Sequence, residues 1–499
     1  MGKKEVLTGL DKLEICLEKG RELFTKGDYL EAIQCYKRAI SMKPDCYRSY
    51  LALGDVFLKT SRFDVALKSY EIANQLNPRS AEIYYKMALA NFYLGRYRDA
   101  EELFLASLRL DARIVDSYNG LYLVYKELGL YDKAEKILKM GIELAPECAK
   151  LYNNLGNVYH AKGKYDLAVE MYTKTMELNG DAPEAELGKS LIYLLKGRFD
   201  KGWIGYERRL HLPAFRSSME RFGPRIWDGG FSPSKTLLVW TEQGIGDAIQ
   251  FVRFLPYVKE RVGKVILVCQ SSLLRLFKTA RGIDVLISKD EENLPEYDFH
   301  IPIMSLGRFF VTRESEIPAE IPYFDIHQEA VFEMGKRIGI SHEKLNVGIV
   351  WGGNIKNRNN RVRSASLRFF LPLAEIDGLR LYSIQKGEYS IQLKERGAEA
   401  IKDLSGLLDD FYDTALVVRN MDLVISVDTA VAHLAGALGV KVWLLIPRYP
   451  DWRWQLERED SPWYPSMRIF RQSRQGYWHD VFGRVKSELL KVLDERDGN

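Results

Sequence analysis

Along residues 13–216 the apolar positions follow a helical period that is interrupted every 34 residues. Such a pattern predicts short amphipathic helices in a repeating array. Gly27, Gly95, Gly129, Gly163 and Gly197 lie 34 residues or a multiple of 34 apart, and Ser61 fills the one gap. Two residues after each stands an aromatic: Tyr29, Phe63, Tyr97, Tyr131, Tyr165 and Phe199. Three further on comes a small residue: Ala32, Ala66, Ala100, Ala134, Ala168 and Gly202. Beyond residue 234 the pattern changes to short apolar runs separated by helical stretches. Thr236–Trp240, Val265–Val268 and Asp284–Ile287 read as buried strands, and a second series follows at Val347–Trp351, Leu379–Ser383, Leu423–Val427 and Val442–Leu445. Alternation of this kind predicts parallel sheets covered by helices. The expected fold class is an all-α solenoid followed by an α/β part with two facing domains.

The comb resembles tetratricopeptide repeats, in which each repeat is a pair of antiparallel helices. Gly20, Gly54, Ala88 and Gly156 keep the first helix small where the second crosses it, and Tyr36, Tyr70, Phe104 and Tyr172 are the large residues of the second. Pro44, Pro78 and Pro146 stop the second helix, since proline cannot continue one. About six repeats occupy residues 13–216, followed by a linker over 217–234, a first α/β domain over 235–340 and a second over 341–499. A repeat stack makes a long concave groove. The expected partner is a protein or peptide in that groove; a packing spacer is the plainer alternative, and the quoted aromatics belong to the core in either case.

Three loops at predicted strand ends carry candidate chemistry, because ligands of parallel sheets bind at the carboxyl ends of strands. The first runs from Thr241 to Gln250 and contains Gly244, Gly246 and Asp247. Its glycines allow close backbone approach to a ligand, and Asp247 reads either as a functional acid or as a helix cap. The second, Gly352 to Ser364, holds Asn354 and four cations, Lys356, Arg358, Arg361 and Arg363. Cations mixed with amides and a hydroxyl suit phosphate oxygens; a solvated basic loop is the alternative. The third, Ser426 to Gly439, has a helix expected to start at Asp428 or Thr429, with His433 one turn in. Free N–H groups at such a start attract anions. There Asp428 is a ligand contact or a cap, and His433 a site residue or a core one.

Bulk properties narrow the class. Lys and Arg exceed Asp and Glu by only four, too balanced to argue for nucleic acid or an anionic membrane. The five cysteines include no C-x-x-C pair and suggest a reducing compartment. Met1-Gly-Lys-Lys-Glu lacks the apolar run of a signal peptide, and no stretch approaches the ~20 apolar residues of a membrane span. A cytoplasmic chain is expected. No D-x-D, H-E-x-x-H, G-x-S-x-G or phosphate-loop motif occurs, which disfavours an acidic metal-chelating pair, a zinc hydrolase, a serine esterase and a phosphate-loop ATPase.

Taken together, Gly246-Asp247 and Ser426-Val-Asp428-Thr429 with His433 and Ala435 resemble a GT-B glycosyltransferase of the ADP-heptose:lipopolysaccharide heptosyltransferase-like type, over roughly residues 235–490. The resemblance implies two Rossmann-like domains facing a cleft and an inverting, metal-independent sugar transfer with no cofactor beyond a nucleotide-sugar donor. It implies that Asp247 is the catalytic base and that Asp428, Thr429 and His433 contact the nucleotide sugar. It also implies a basic residue on the donor phosphates, among which Arg363, beside Ser364, is favoured, and a ribose-binding acid at Glu388. Ala430 stands where the family has glycine, which bears on donor identity. The acceptor is expected to be a protein hydroxyl presented by the repeat groove. The alternatives are a glycolipid or polysaccharide acceptor with the repeats as assembly scaffold, and a non-enzymatic scaffold; removing residues 1–216 is the expected way to separate the first two. Trp452, Trp454 and Trp463 are expected to pack, with Arg453 able to reach a phosphate or an acidic sugar. A tail helix over His479–Val492 is expected to close over the first α/β domain.

Overall fold

The computed structural model describes residues 9–355 and 360–497. Helix pairs run through the N-terminal part: Gly9–Lys26 with Tyr29–Met42, Tyr47–Lys59 with Phe63–Leu76, Ala81–Tyr93 with Tyr97–Leu110, Val115–Leu128 with Tyr131–Leu144, and Ala149–Ala161 with Tyr165–Leu178. The first helix thus begins at Gly9, before the expected residue 13. The comb marks the turns. Gly95, Gly129 and Gly163 have φ of 75°, 71° and 69°, a left-handed conformation open to glycine without steric cost. Ser61 adopts the same conformation at φ 59°.

The small–large pairs form the inter-helix core. A Cβ on Gly20, Gly54 or Gly156 would come within 2.5, 2.4 and 2.6 Å of the rings of Tyr36, Tyr70 and Tyr172. In the fourth repeat the sizes exchange: Tyr122 stands on the first helix and Leu138 on the second, both buried. The Tyr70 hydroxyl donates to Asp55 at 2.7 Å, and Asp55 pairs with Lys86 of the next repeat at 2.9 Å. Neighbouring repeats are therefore tied by polar as well as apolar contacts.

Two compact units divide the chain after Gly188. The boundary falls inside helix Pro183–Leu195, so the sixth helix pair is shared between the two units. Its second helix, Phe199–Tyr206, packs into the α/β unit: Trp203 lies edge-on to Trp452 at 5.3 Å and to Phe251 at 6.0 Å. The interval 217–234 is not a free linker. Helix Pro213–Phe222 runs into it, Trp227 is buried, and Trp227 N–H donates to the His300 carbonyl at 2.9 Å. Gly223 ends the helix, but Phe222 and Trp227 gain more from burial than from water.

The α/β unit holds two wholly parallel sheets. The first contains β1 (Ser232–Trp240), β2 (Val262–Cys269), β3 (Val285–Ser288) and β4 (Phe299–Pro302), in the order β3-β2-β1-β4. The second contains β5 (Leu345–Val350), β6 (Leu379–Ser383), β7 (Lys402–Asp403), β8 (Leu423–Val427), β9 (Val442–Ile446) and β10 (Met467–Arg471), in the order β10-β9-β8-β5-β6-β7. β5, β8 and β9 are buried along their whole length, as strands covered on both faces must be. β4, β7 and β10 were not anticipated: β7 has two residues, and two of the five residues of β10 are arginines. The tail helix His479–Asp497 covers the second sheet, not the first domain; Val481, Phe482, Val485 and Leu489 join Val347, Ile349, Ile425 and Val427 in one core.

Candidate functional site

Chain order reverses beside β1 in the first sheet, and between β5 and β8 in the second. Such reversals leave a crevice at the carboxyl ends of the strands. The loops after β1, β5 and β8 are the three loops distinguished by their sequence, so all three open at switch points.

The β1 and β8 loops meet. Helices Ile245–Phe251 and Ala430–Ala437 follow them directly, and a Cβ on Gly246 would lie 2.8 Å from His433 Cδ2 and 3.4 Å from Ala430 Cα. Glycine at 246 is required by this approach. Gly244 precedes the helix and its N–H donates to Asp247 Oδ2 at 2.7 Å. The cap reading of Asp247 therefore holds for one oxygen. The other, Oδ1, is paired with the guanidinium of Arg453.

Arg453, 5% exposed, sits on the short 3₁₀ turn Trp452–Trp454 after β9. It donates to Asp451 Oδ1 at 2.8 Å and to Gln250 Oε1 at 2.5 Å, and lies 4.4 Å over the Trp452 ring. One buried cation thus joins carboxylates from both sheets. The Asp-Trp-Arg-Trp string signalled an anion contact, but its pairing with Asp247 was not foreseen. Trp452, Trp454 and Trp463 are buried, as packing residues are expected to be.

Asp428 follows β8, with its side chain 13% exposed. Burial first, and the neighbouring Asp451 next, push its carboxyl up to about 6, against the opposing fields of Arg363 and Arg453. Asp428 does not cap the following helix: that position belongs to Thr429, which makes no capping bond and whose hydroxyl lies 3.0 Å from that of Ser426. His433 is driven well below the ordinary imidazole range by burial and then by Arg453, Arg253 and Arg363. It is neutral, so its 3.9 Å approach to Asp428 is not an ion pair. Its Nδ1 is 3.0 Å from the Tyr464 hydroxyl, whose titration is pushed far upward by burial.

The β5 loop brings Arg363 to the same group. A Cβ on Gly353 would lie 2.9 Å from Arg363 Nη2, so the glycine makes room for the guanidinium. Two buried donors here have no hydrogen-bond partner, Arg363 Nε and Trp454 Nε1. The Trp454 indole N–H favours the charged form of Asp428 as a donor, although the contact falls short of full hydrogen-bond geometry. Unsatisfied buried donors are rare and call for an explanation.

Other candidates lie apart. Arg361 and Asn354 are exposed, and Lys356 and Arg358 fall outside the described residues. Ser364 is taken up structurally rather than offered to a phosphate: it accepts from Gly353 N–H at 3.1 Å and donates to Asn360 Oδ1 at 2.7 Å, closing the loop on itself. Glu388 is exposed and lines a separate cavity of about 550 Å³ with Lys394, Glu399 and Asp403. That cavity lacks the convergent loops and perturbed acids of the junction. Among the described residues no helix is long and apolar enough to cross a membrane.

Comparison with known proteins bears on the repeats. The family described as tetratricopeptide repeat matches residues 17–81, 51–113, 85–147 and 149–181. Protein FlbA of Caulobacter vibrioides is 25% identical over 315 residues, 58% of this chain and 52% of its own. That match exceeds the repeat unit in length and so extends into the α/β unit. The peroxisomal targeting signal receptor of Eremothecium gossypii is 27% identical over 95 residues, 19% of this chain and 17% of its own. The crystal structure of MamA protein is 29% identical with a TM-score of 0.31, covering 34% of this chain and 93% of that one. The chain spans about half the length of FlbA and under a fifth of the receptor. The N-terminal region is an array of tetratricopeptide repeats.

Proposed function

We propose that the α/β unit is a glycosyltransferase of the GT-B kind, moving a sugar from a nucleoside-diphosphate donor to an acceptor hydroxyl with inversion. Asp247 accepts the acceptor's proton while the oxygen attacks the anomeric carbon. The bond from that carbon to the diphosphate oxygen breaks, and the diphosphate leaves with the electron pair. Each carboxylate oxygen has room for a second hydrogen bond, so Asp247 can serve while Gly244 and Arg453 orient it. Charge on the leaving group is met by Arg363 and by the N–H groups opening helix Ala430–Ala437, donors aimed in advance at a developing charge.

One observation carries the reading. A proton acceptor on the β1 loop abuts a β8 loop where the Asp428 acid meets a cationic Arg363, whose Nε has no partner, and the Trp454 indole N–H. Strongly perturbed acids at such a junction mark functional sites more often than structural ones. The repeats bind the polypeptide that bears the acceptor hydroxyl; the receptor among their relatives is named for reading a targeting signal.

The test is a thermal-shift series on the full chain with ADP, GDP, UDP and their sugar conjugates. A ligand that binds only the native state raises its melting temperature by mass action. Conjugates that stabilise the protein are then incubated with protein and glycolipid acceptors, and products are weighed by mass spectrometry. No stabilisation by any diphosphate and no sugar transfer would remove the proposal.

A further inference from the structure

Three consecutive residues of the β1 loop are held individually, and two of them by the segment that follows the last repeat turn. Arg209, 1% exposed, donates to Glu242 Oε1 at 2.9 Å and to Ser305 Oγ at 2.8 Å. Glu242 also accepts from Met304 N–H at 3.3 Å. Gln243 Nε2 donates to the Tyr206 hydroxyl at 2.6 Å. Gly244 N–H is held by Asp247.

The same helix sets the opposite partner. Trp203 and Tyr206 pack against Trp452 at 5.3 and 6.5 Å, and the Arg453 guanidinium lies over that indole. Both members of the Asp247–Arg453 pair are therefore registered from helix Phe199–Tyr206. The loop needs such an anchor. Gly244 and Gly246 bracket its turn, and glycine offers the backbone many alternatives of similar energy. Without the phenol hydroxyl, Gln243 loses its side-chain anchor and keeps the longer bond from Gln270 Nε2 to its carbonyl, at 3.3 Å.

We propose that Tyr206 is a positioning residue for this site. Its hydroxyl fixes Gln243, and through Gln243 the Gly244–Asp247 turn, in the register that sets Asp247 against Arg453; Arg209 anchors the preceding residue. The effect on turnover rests on the transferase reading, whereas the ordering of the loop is a property of the fold alone. The two are separable by experiment.

Tyr206→Phe removes one oxygen and keeps the ring. In the full chain, amide hydrogen exchange over residues 241–247 is expected to accelerate at least about tenfold, since local opening sets exchange. β2 and helix Ala430–Ala437 keep wild-type protection. With a sugar conjugate that the wild type turns over, kcat falls by about tenfold or more while the donor KM stays within about twofold. Wild-type exchange over 241–247 in the variant overturns the proposal. Should exchange accelerate everywhere, Gln243→Ala removes the same bond from the loop side, and unchanged loop exchange there overturns it equally. A wild type that neither binds a nucleoside diphosphate nor transfers sugar defeats the transferase reading, while the exchange data still decide the role of Tyr206.

Discussion

Asp247 and Arg453 are 206 positions apart in the chain and paired in the fold. The carboxylate comes from the first turn after β1 and the guanidinium from the turn after β9, so one ion pair joins the switch-point loop of the first sheet to the second sheet. Buried pairs of this kind contribute little net stability. Their value lies in fixing geometry, here that of a carboxylate already tied to its own helix start.

Asp247→Asn retains the volume and one oxygen, and removes the proton acceptor. Sugar transfer is expected to fall ~10²–10⁴-fold, with nucleoside-diphosphate affinity within about threefold of wild type. Single-turnover assays beside calorimetry separate the two effects. Full transfer by this variant would take Asp247 out of the mechanism.

Asp428 titrates higher folded than unfolded, near 6 against an ordinary carboxylate value. A group raised in this way contributes stability that is present below its unfolded pKa and lost as the pH climbs through its folded one. Asp428→Asn lacks that loss. It is expected to exceed wild type in stability by about 1–2 kcal/mol at pH 7.5, with the gap closing by pH 4. Urea midpoints at four pH values read the trend, and a gap independent of pH would contradict it. Glu242, also pushed up to about 6 by burial, is common to both proteins and cancels.

Ser61 holds the one turn of the comb that lacks glycine, at φ 59°. An L-residue there costs about 1–2 kcal/mol, and the freedom that glycine adds to the unfolded chain offsets part of it. Ser61→Gly should stabilise the repeats by about 0.5–1 kcal/mol. The first urea transition followed by circular dichroism measures this.

The boundary near residue 216 is the wrong place to cut. A chain starting at residue 217 loses Trp203, Tyr206 and Arg209, and leaves Glu242 buried without its cation. Breaking such a pair costs roughly 3–5 kcal/mol, so this chain should be largely insoluble. A chain starting at Lys189 keeps every one of these contacts and should melt cooperatively. Equal soluble yield and melting temperature for both would show that the helix is dispensable.

Much of the molecule is local, and local features are readable. The turn glycines, the Gly54–Tyr70 type of pairing, the prolines Pro44, Pro78 and Pro146 after second helices and the three loops follow from spacing, because each depends on residues close in sequence. Buried strands such as β8 announce themselves as apolar runs; the short edge strand β7 does not, since an edge carries no such run. That the loops lie at the carboxyl ends of strands was implied once the strands were parallel, whereas their place at switch points depends on strand order, a tertiary property. Ser364 read as a phosphate ligand because composition cannot tell a hydroxyl facing a ligand from one that closes its own loop. The sixth repeat reads as part of the array because its turn glycine, aromatic and small residue, Gly197, Phe199 and Gly202, keep the 34-residue spacing.

The sequence by itself determined the repeat array, the parallel α/β character of the remainder and which loops carry polar side chains, since periodicity and backbone chemistry act over a few residues. Only the tertiary structure decided that Arg453 meets Asp247, that Asp428 is buried beside Arg363, that the tail helix covers the second sheet and that the last repeat helix belongs to the α/β unit. Those are contacts between segments far apart in the chain. Their energies depend on burial and distance, which no local pattern encodes.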